Sequence, residues 1–361
     1  MIHGGLHLTF MSGTPMTQHC CLRQSFFPIN PNGDAWNNPN FQSLRQTNLS
    51  DTWDPGCYNC QQLENSGEFS LRQGMNQGLS IYGQTELTGP ARIDLMFDIS
   101  CNLACRTCGP HSSTFWHKQL GMPVPVSKSA QTVISSLSKL DLSNLRQLVF
   151  CGGETLLGNE YWNVAEWLAN NVPNASDQLT VCFQTNGTQP ILEKNYKIIE
   201  KLHLVKLHIS IDGTKERFEY LRWPANWEKT TENILKIQES APSNVMFVIE
   251  ETVSIFNALY LSEVSEWVQK NIPTNKEGDI VNHTKHLANG SYSLVHLTQE
   301  YVDKLSASPY KSLIPPRWQE KPQNITQMLT EIQKFDQQRN QNFLTVFPEV
   351  AECYQRFFNT F

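Results

Sequence analysis

Ten cysteines lie in the 361-residue chain, and their spacing carries its most specific chemistry. Cys101, Cys105 and Cys108 stand within one short run, CNLACRTC. Three thiolates so spaced can wrap one face of a four-iron cubane and leave one iron without a protein ligand. An iron left open in this way can be chelated by a small molecule. A structural zinc site is the plainer alternative, but zinc asks for a fourth Cys or His, and only His111 and His117 follow closely. An ordinary four-cysteine cluster is the other alternative.

The background of the chain favours metal over disulfide. Its start, MIHGGLHLTFM, lacks a basic region followed by an apolar run and a small-residue cleavage site, so no secretory signal is legible and the chain reads as cytoplasmic. In that setting closely spaced cysteines point to metal or cluster ligation. No stretch approaches the ~18 apolar residues of a membrane helix. A net charge of -6 with no basic run argues against a nucleic-acid partner.

The elements that must position these residues are legible from residue 86 onward. Strand-like runs at 92–99, 145–151, 179–186, 205–212, 244–253 and 291–297 alternate with helical stretches at 129–139, 159–171, 189–202, 226–240 and 260–270. Such alternation builds βαβ units around a parallel sheet buried on both faces. Six units predict an α/β fold, a partial (β/α)6 TIM-like barrel, over residues 86–300. Residues 1–85 are rich in Asn, Gln, Gly and Cys. There Ser12-Gly13 predicts a β-hairpin, Asn32-Gly33 a further turn, and residues 40–48 one short helix. This small cluster domain cannot build much core alone, so it leans on a cluster or on the next domain. Residues 301–361 form a polar tail with helices expected over 323–345 and 346–358, punctuated by Pro348.

In parallel α/β architectures functional loops gather at the carboxyl ends of strands. The cysteine triplet follows the first run, Gly152-Gly153-Glu154 the second, Thr185-Asn186-Gly187-Thr188 the third, and Ser210-Ile211-Asp212-Gly213 the fourth. Glycines let backbone approach a ligand, and a Glu carboxylate accepts from a ligand ammonium. Ser210 and Asp212, two apart on a strand, share a face and can hydrogen-bond a ribose. One such motif is weak evidence; four in register are not.

CNLACRTC, CGGE, QTNGT and SIDG followed by Arg222 resemble the radical S-adenosylmethionine superfamily, across roughly residues 90–300. The resemblance implies a [4Fe-4S] cluster on Cys101, Cys105 and Cys108 whose open iron binds S-adenosylmethionine. One electron then cleaves a carbon–sulfur bond, and the 5′-deoxyadenosyl radical abstracts a substrate hydrogen. It also implies that Glu154, with the Gly152-Gly153 backbone, holds the methionyl amino group. Ser210 and Asp212 would lie near the ribose, Asn186 near the cofactor, and Arg222 would pair with the methionyl carboxylate. One departure is Thr107, where the family usually carries an aromatic residue near the adenine, so that contact is not carried over.

Cys20-Cys21 and Cys57-Tyr58-Asn59-Cys60 form a second constellation. CxxC is a half-site for zinc or for iron–sulfur, and strand alternation lets only one of Cys20 and Cys21 face the same site. The arrangement resembles the twitch domains that hold an auxiliary cluster in some radical enzymes, here in an amino-terminal form. FDQQR…FPEV, near the end of the chain, is also similar to those proteins. The resemblance implies an auxiliary iron–sulfur cluster, taken as [4Fe-4S]. The first cysteine expected of it is missing, and His3 stands about where it should be. Imidazole ligates iron in some clusters, so His3 is the candidate fourth ligand. A frayed terminal residue, or an iron left open for substrate, are the alternatives.

Cys151 and Cys182 sit on expected strands facing or flanking the barrel interior, where a thiol can return a hydrogen atom to a substrate radical. Such cysteines are more commonly small core residues. The expected function is a radical S-adenosylmethionine enzyme, oxidoreductase-like, that modifies a peptide or amino-acid-derived substrate. Its electrons would come from a flavodoxin or ferredoxin. A dehydrogenase or epimerase of a small molecule such as a sugar or aminocyclitol is the alternative. A non-catalytic iron–sulfur or zinc scaffold is the rival from another class.

Overall fold

The computed structural model describes residues 5–10, 16–18, 27–28, 34–49, 52–65, 67, 70, 73, 87–276, 278–315 and 318–358. Nine strands are present among them: β1 (Gly5–Thr9), β2 (Met16–Gln18), β3 (Phe27–Pro28), β4 (Arg92–Met96), β5 (Gln147–Cys151), β6 (Thr180–Thr185), β7 (Leu204–Ser210), β8 (Val245–Val253) and β9 (Asn282–Leu287). Their order in the sheet is β3-β2-β1-β4-β5-β6-β7-β8-β9. The two ends are different strands, so the α/β sheet is not closed into a barrel. β1 with β4, β4 with β5, β5 with β6, and β8 with β9 pair in parallel. The β1–β2 and β2–β3 pairs are antiparallel.

The chain divides into two compact units. The first comprises Met1–Ser100, Val124–Gln184 and Ile191–Leu207. Its strands β4 and β5 show the buried pattern of a sheet covered on both faces, with Ile93, Leu95, Leu148 and Phe150 essentially inaccessible. The helix Glu160–Asn171 lays Tyr161 and Trp162 on them, with Tyr161 4.4 Å from Phe97 and Trp162 4.6 Å from Phe183, ring centre to ring centre. The helix Ala130–Leu137 begins where the Ser129 hydroxyl accepts the Thr132 N–H, a capping arrangement that satisfies an orphan donor. The Ser12-Gly13 hairpin is present as the β1–β2 pair, Thr9 opposite Met16, its turn lying outside the described residues. β1 also pairs with β4, burying Leu6 and Leu8, so this hairpin leans on the main sheet as its poor core required.

The second unit comprises Cys101–Pro123, Thr185–Pro190 and His208–Phe361. Its core gathers Tyr220, Phe256, Tyr292, Tyr301, Phe347 and Tyr354 under the helices of the tail. Those helices are Pro322–Arg339, Phe343–Val346, Pro348–Cys353 and Gln355–Phe358. Pro348 opens one of them at its first position, where a missing N–H costs nothing.

The sixth expected strand is corrected. Residues 291–297 are not a strand but lie in two short 3-10 turns, Gly290–Tyr292 and Leu294–His296. Their apolar residues Tyr292, Leu294 and Leu297 are buried against the tail helices, a demand that no sheet face imposes. The sixth strand, counting β4 as the first, is instead β9, NHTKHL, largely exposed at the end of the sheet. Its polar composition gave no apolar run to read.

Candidate active site

The cysteine loop belongs to the second unit and is held by its own neighbours. The Ser113 hydroxyl donates to the Leu103 carbonyl at 2.5 Å and also caps the helix Thr114–Leu120. Thr114 Oγ1 accepts the Cys101 N–H at 3.1 Å, and the Trp116 indole donates to the Cys105 carbonyl at 3.1 Å. From the segment after the helix Lys215–Leu221, the Trp223 carbonyl accepts from Ala104 and the Leu221 carbonyl from Arg106, at 2.8 and 2.7 Å. Cys108 N–H closes a turn onto the Cys105 carbonyl at 3.1 Å. The three cysteines are thus presented by a loop whose backbone is largely satisfied.

Two of the three sulfurs face N–H donors. Asn186 Nδ2 lies 3.9 Å from Cys101 Sγ, and Arg222 Nη1 lies 3.9 Å from Cys105 Sγ. Asn186 is oriented by Asn102, whose Oδ1 accepts from it at 3.0 Å. Burial pushes the Cys105 thiol well above its ordinary range, with Arg222 opposing. Cys108 is raised for the same reason, against a backbone hydrogen bond at Gly109 and Arg222. Thiolates here therefore need cations to stabilise them, which iron supplies. N–H donors on cluster sulfurs are also a lever on cluster potential. Among the described residues no three His, Cys, Asp or Glu side chains could hold a single metal ion. A cubane makes a different demand, since each thiolate binds its own iron. The donor set of this loop fits an iron–sulfur cluster.

Arg222 and Asp212 form a buried pair that sequence reading did not anticipate. Nη2 of Arg222 lies 2.8 Å from Asp212 Oδ2, with the two side chains 9% and 2% exposed. The other carboxylate oxygen accepts the Thr252 N–H at 2.7 Å. Burial works against the guanidinium charge, but Asp212 and then Cys105 outweigh it and raise its pKa. β7 ends at Ser210, so Asp212 stands beyond the alternation that its spacing from Ser210 assumed. Its carboxylate is engaged by Arg222 and by backbone.

In the first unit, Gly152-Gly153-Glu154 follows β5 as expected. Gly152 sits at φ +130, and a Cβ there would meet the Asp98 carbonyl oxygen at 2.3 Å. A Cβ on Gly153 would meet the Ser100 oxygen at 2.2 Å. These glycines let the turn press against residues 98–100, where Gly153 and Glu154 N–H groups donate to Asp98 and Ser100 at 3.2 and 2.8 Å. Glu154 is buried, and its Oε1 accepts the Leu156 N–H at 2.9 Å. Cys151 and Cys182 share a face, because Val149, two before Cys151, is the register partner of Cys182. Cys182 is buried and its sulfur accepts from Gln147 Nε2 at 3.5 Å; Cys151 is half-buried at the carboxyl end of β5.

Cys57 ends the short turn Pro55–Cys57, and Cys60 lies buried in the helix Tyr58–Asn65, one helical turn on. Cys20, Cys21 and His3 lie outside the described residues. His117 is a satisfied interior histidine, Nδ1 against the Pro123 carbonyl at 2.7 Å and Nε2 against that of Pro110 at 2.9 Å. Tyr220 and Trp227 pack into core, whereas Trp223 is half-buried with its ring 5.5 Å from Phe115. A further group escaped the sequence: Glu250 on β8 accepts from His208 on β7 at 2.6 Å and also bonds His286 on β9. Strand parity would have put His208 and Ser210 on one face, but the partner strand β9 was not legible.

Residues 99–259 match the family model described as the radical SAM superfamily. Among solved structures the chain is similar to native anSMEcpe with bound AdoMet, at 19% identity and a TM-score of 0.42, covering 68% of this chain and 60% of that one. It is also similar to Streptococcus suis SuiB bound to precursor peptide SuiA, at 13% identity and a TM-score of 0.40, covering 96% and 73%. The chain thus spans about three fifths of the length of anSMEcpe. No curated protein matches it. The match to the radical SAM superfamily thus spans residues 99–259, the segment that holds the cysteine loop and the turns after β5, β6 and β7.

Proposed function

We propose that the chain reductively cleaves S-adenosylmethionine and uses the resulting radical to abstract a hydrogen from a peptide or amino-acid-derived substrate. The observation that carries this reading is the cysteine loop: three cysteines in CNLACRTC, two with N–H donors at their sulfurs, inside the segment that matches the family model. When bound, a [4Fe-4S] cluster and S-adenosylmethionine supply one-electron cleavage of a carbon–sulfur bond and a 5′-deoxyadenosyl radical.

In this reading Cys101, Cys105 and Cys108 hold the cluster, and Asn186 and Arg222 donate to two of their sulfurs. Arg222 also meets the methionyl carboxylate, with Asp212 keeping its guanidinium charged and aimed. Gly152, Gly153 and Glu154 take the methionyl amino group, and Ser210 serves the ribose. Cys57 and Cys60, with one of Cys20 and Cys21 and with His3, hold an auxiliary iron–sulfur cluster in a domain over residues 1–85. A flavodoxin or ferredoxin supplies electrons, and the protein works in the cytoplasm. Cys151 and Cys182, on one face, are the candidate hydrogen donors should the product be an epimer.

The direct test is cofactor binding at the cluster. Anaerobically reconstituted, dithionite-reduced protein is examined by electron paramagnetic resonance with and without S-adenosylmethionine. The reading expects a [4Fe-4S]+ signal that changes on adding the cofactor. A reduced cluster whose signal is indifferent to saturating S-adenosylmethionine would refute it.

A further inference from the structure

We infer that Asp336, in the carboxyl-terminal segment FDQQR, is a positioning residue for the cysteine loop, acting through Arg106. Arg106 lies between Cys105 and Cys108, and its side chain is fully buried, with 0% exposure. Its Nη2 meets Asp336 Oδ1 at 2.5 Å and Gln341 Oε1 at 3.1 Å. The guanidinium stacks 4.1 Å from the centre of the Tyr220 ring. Asp336 is the carboxylate paired with this buried guanidinium. Leaving such a buried cation unpaired is strongly unfavourable.

Asp336 is itself held from two sides. The Tyr220 hydroxyl donates to Oδ1 at 2.8 Å, and the Phe343 N–H donates to Oδ2 at 2.6 Å. Neighbouring residues of the same segment reach the same loop. Phe335 packs on Trp116 and Ala104, and Arg339 stacks over Trp116 and Trp223 at 4.9 and 5.0 Å. Trp116 in turn donates to the Cys105 carbonyl. FDQQR thus spends its aromatic and both its charged side chains on the surroundings of the cysteine loop.

The inference rests on the cluster reading above and makes a signed prediction. Reduction adds negative charge to a cluster, so a nearby anion disfavours it and a nearby cation favours it. Full-length wild type, Asp336→Asn and Arg106→Gln are reconstituted with ferrous iron and sulfide, and iron per chain is measured. Midpoint potentials follow from redox titration monitored by electron paramagnetic resonance. Asp336→Asn should move the potential positive and Arg106→Gln should move it negative. Unshifted potentials at full iron, or shifts of one sign in both, would overturn the inference.

If either charge variant fails to fold, Tyr220→Phe removes one hydrogen bond to Asp336 and no charge. It should move the potential negative, because the carboxylate loses a donor that disperses its charge; an unchanged potential in this variant also overturns the inference. Wild type that binds no iron would instead defeat the cluster reading itself.

Discussion

At the scale of single residues, the candidate site is organised by charges that sit where water does not. Arg222 is the clearest case: it is buried, paired with Asp212 at 2.8 Å and directed at Cys105 Sγ at 3.9 Å. Breaking a buried pair on one side strands the other charge, at about 3–5 kcal/mol. Arg222→Gln should therefore destabilise the fold by that order in urea unfolding, whereas breaking an exposed pair such as Lys236–Glu232 should change stability little. Equal small effects at both pairs would contradict the burial argument. Much of the site at this scale was legible, since cysteine spacing and the Gly-Gly-Glu, Asn-Gly and Ser-Ile-Asp turns are local patterns. The partners of those residues were not. Arg222 meets Asp212 from ten positions away, and Arg106 meets Asp336 from the far end of the chain, and neither pairing leaves a local trace.

At the scale of elements, the parallel strands put the candidate turns at their carboxyl ends and leave polar pairs along a face. Gly153 marks where one turn presses on the backbone of Ser100. Gly153→Ala places a Cβ 2.2 Å from a carbonyl oxygen, so the backbone must move. Overpacking of this kind costs about 1–3 kcal/mol, and a fall in thermal midpoint with lowered iron uptake is the expected result.

Glu250 is one pH-dependent link between β7, β8 and β9. Its burial raises its pKa, but hydrogen bonds from His208 and then His286 prevail and hold it at about 2. A carboxyl lowered on folding contributes stability above about pH 4.3 and loses it as pH falls through that folded value. His286 is raised, chiefly by the same hydrogen bond. A histidine raised on folding contributes fully below about pH 6.5 and loses that contribution as pH rises through its folded pKa. Urea midpoints from pH 2 to 9 should fall on both limbs, and Glu250→Gln should flatten both; unchanged limbs would rule the group out. Five strands from β4 to β8 and the helices between them were legible because their apolar faces repeat. β9 was not, because an exposed polar edge strand is specified by its neighbour's backbone rather than by its own composition.

At the scale of the whole molecule, the proposal is tested by iron content and by product. With two four-iron clusters the reconstituted chain should hold about eight irons, and about four once Cys101, Cys105 and Cys108 are all changed to Ala. Full iron in that triple variant would refute the ligand assignment. The central claim, that this loop opens S-adenosylmethionine, meets its most direct test in one product. Reconstituted wild type with S-adenosylmethionine and dithionite should release 5′-deoxyadenosine, and the triple variant should release none. Wild type fully loaded with iron yet producing no 5′-deoxyadenosine would contradict the account.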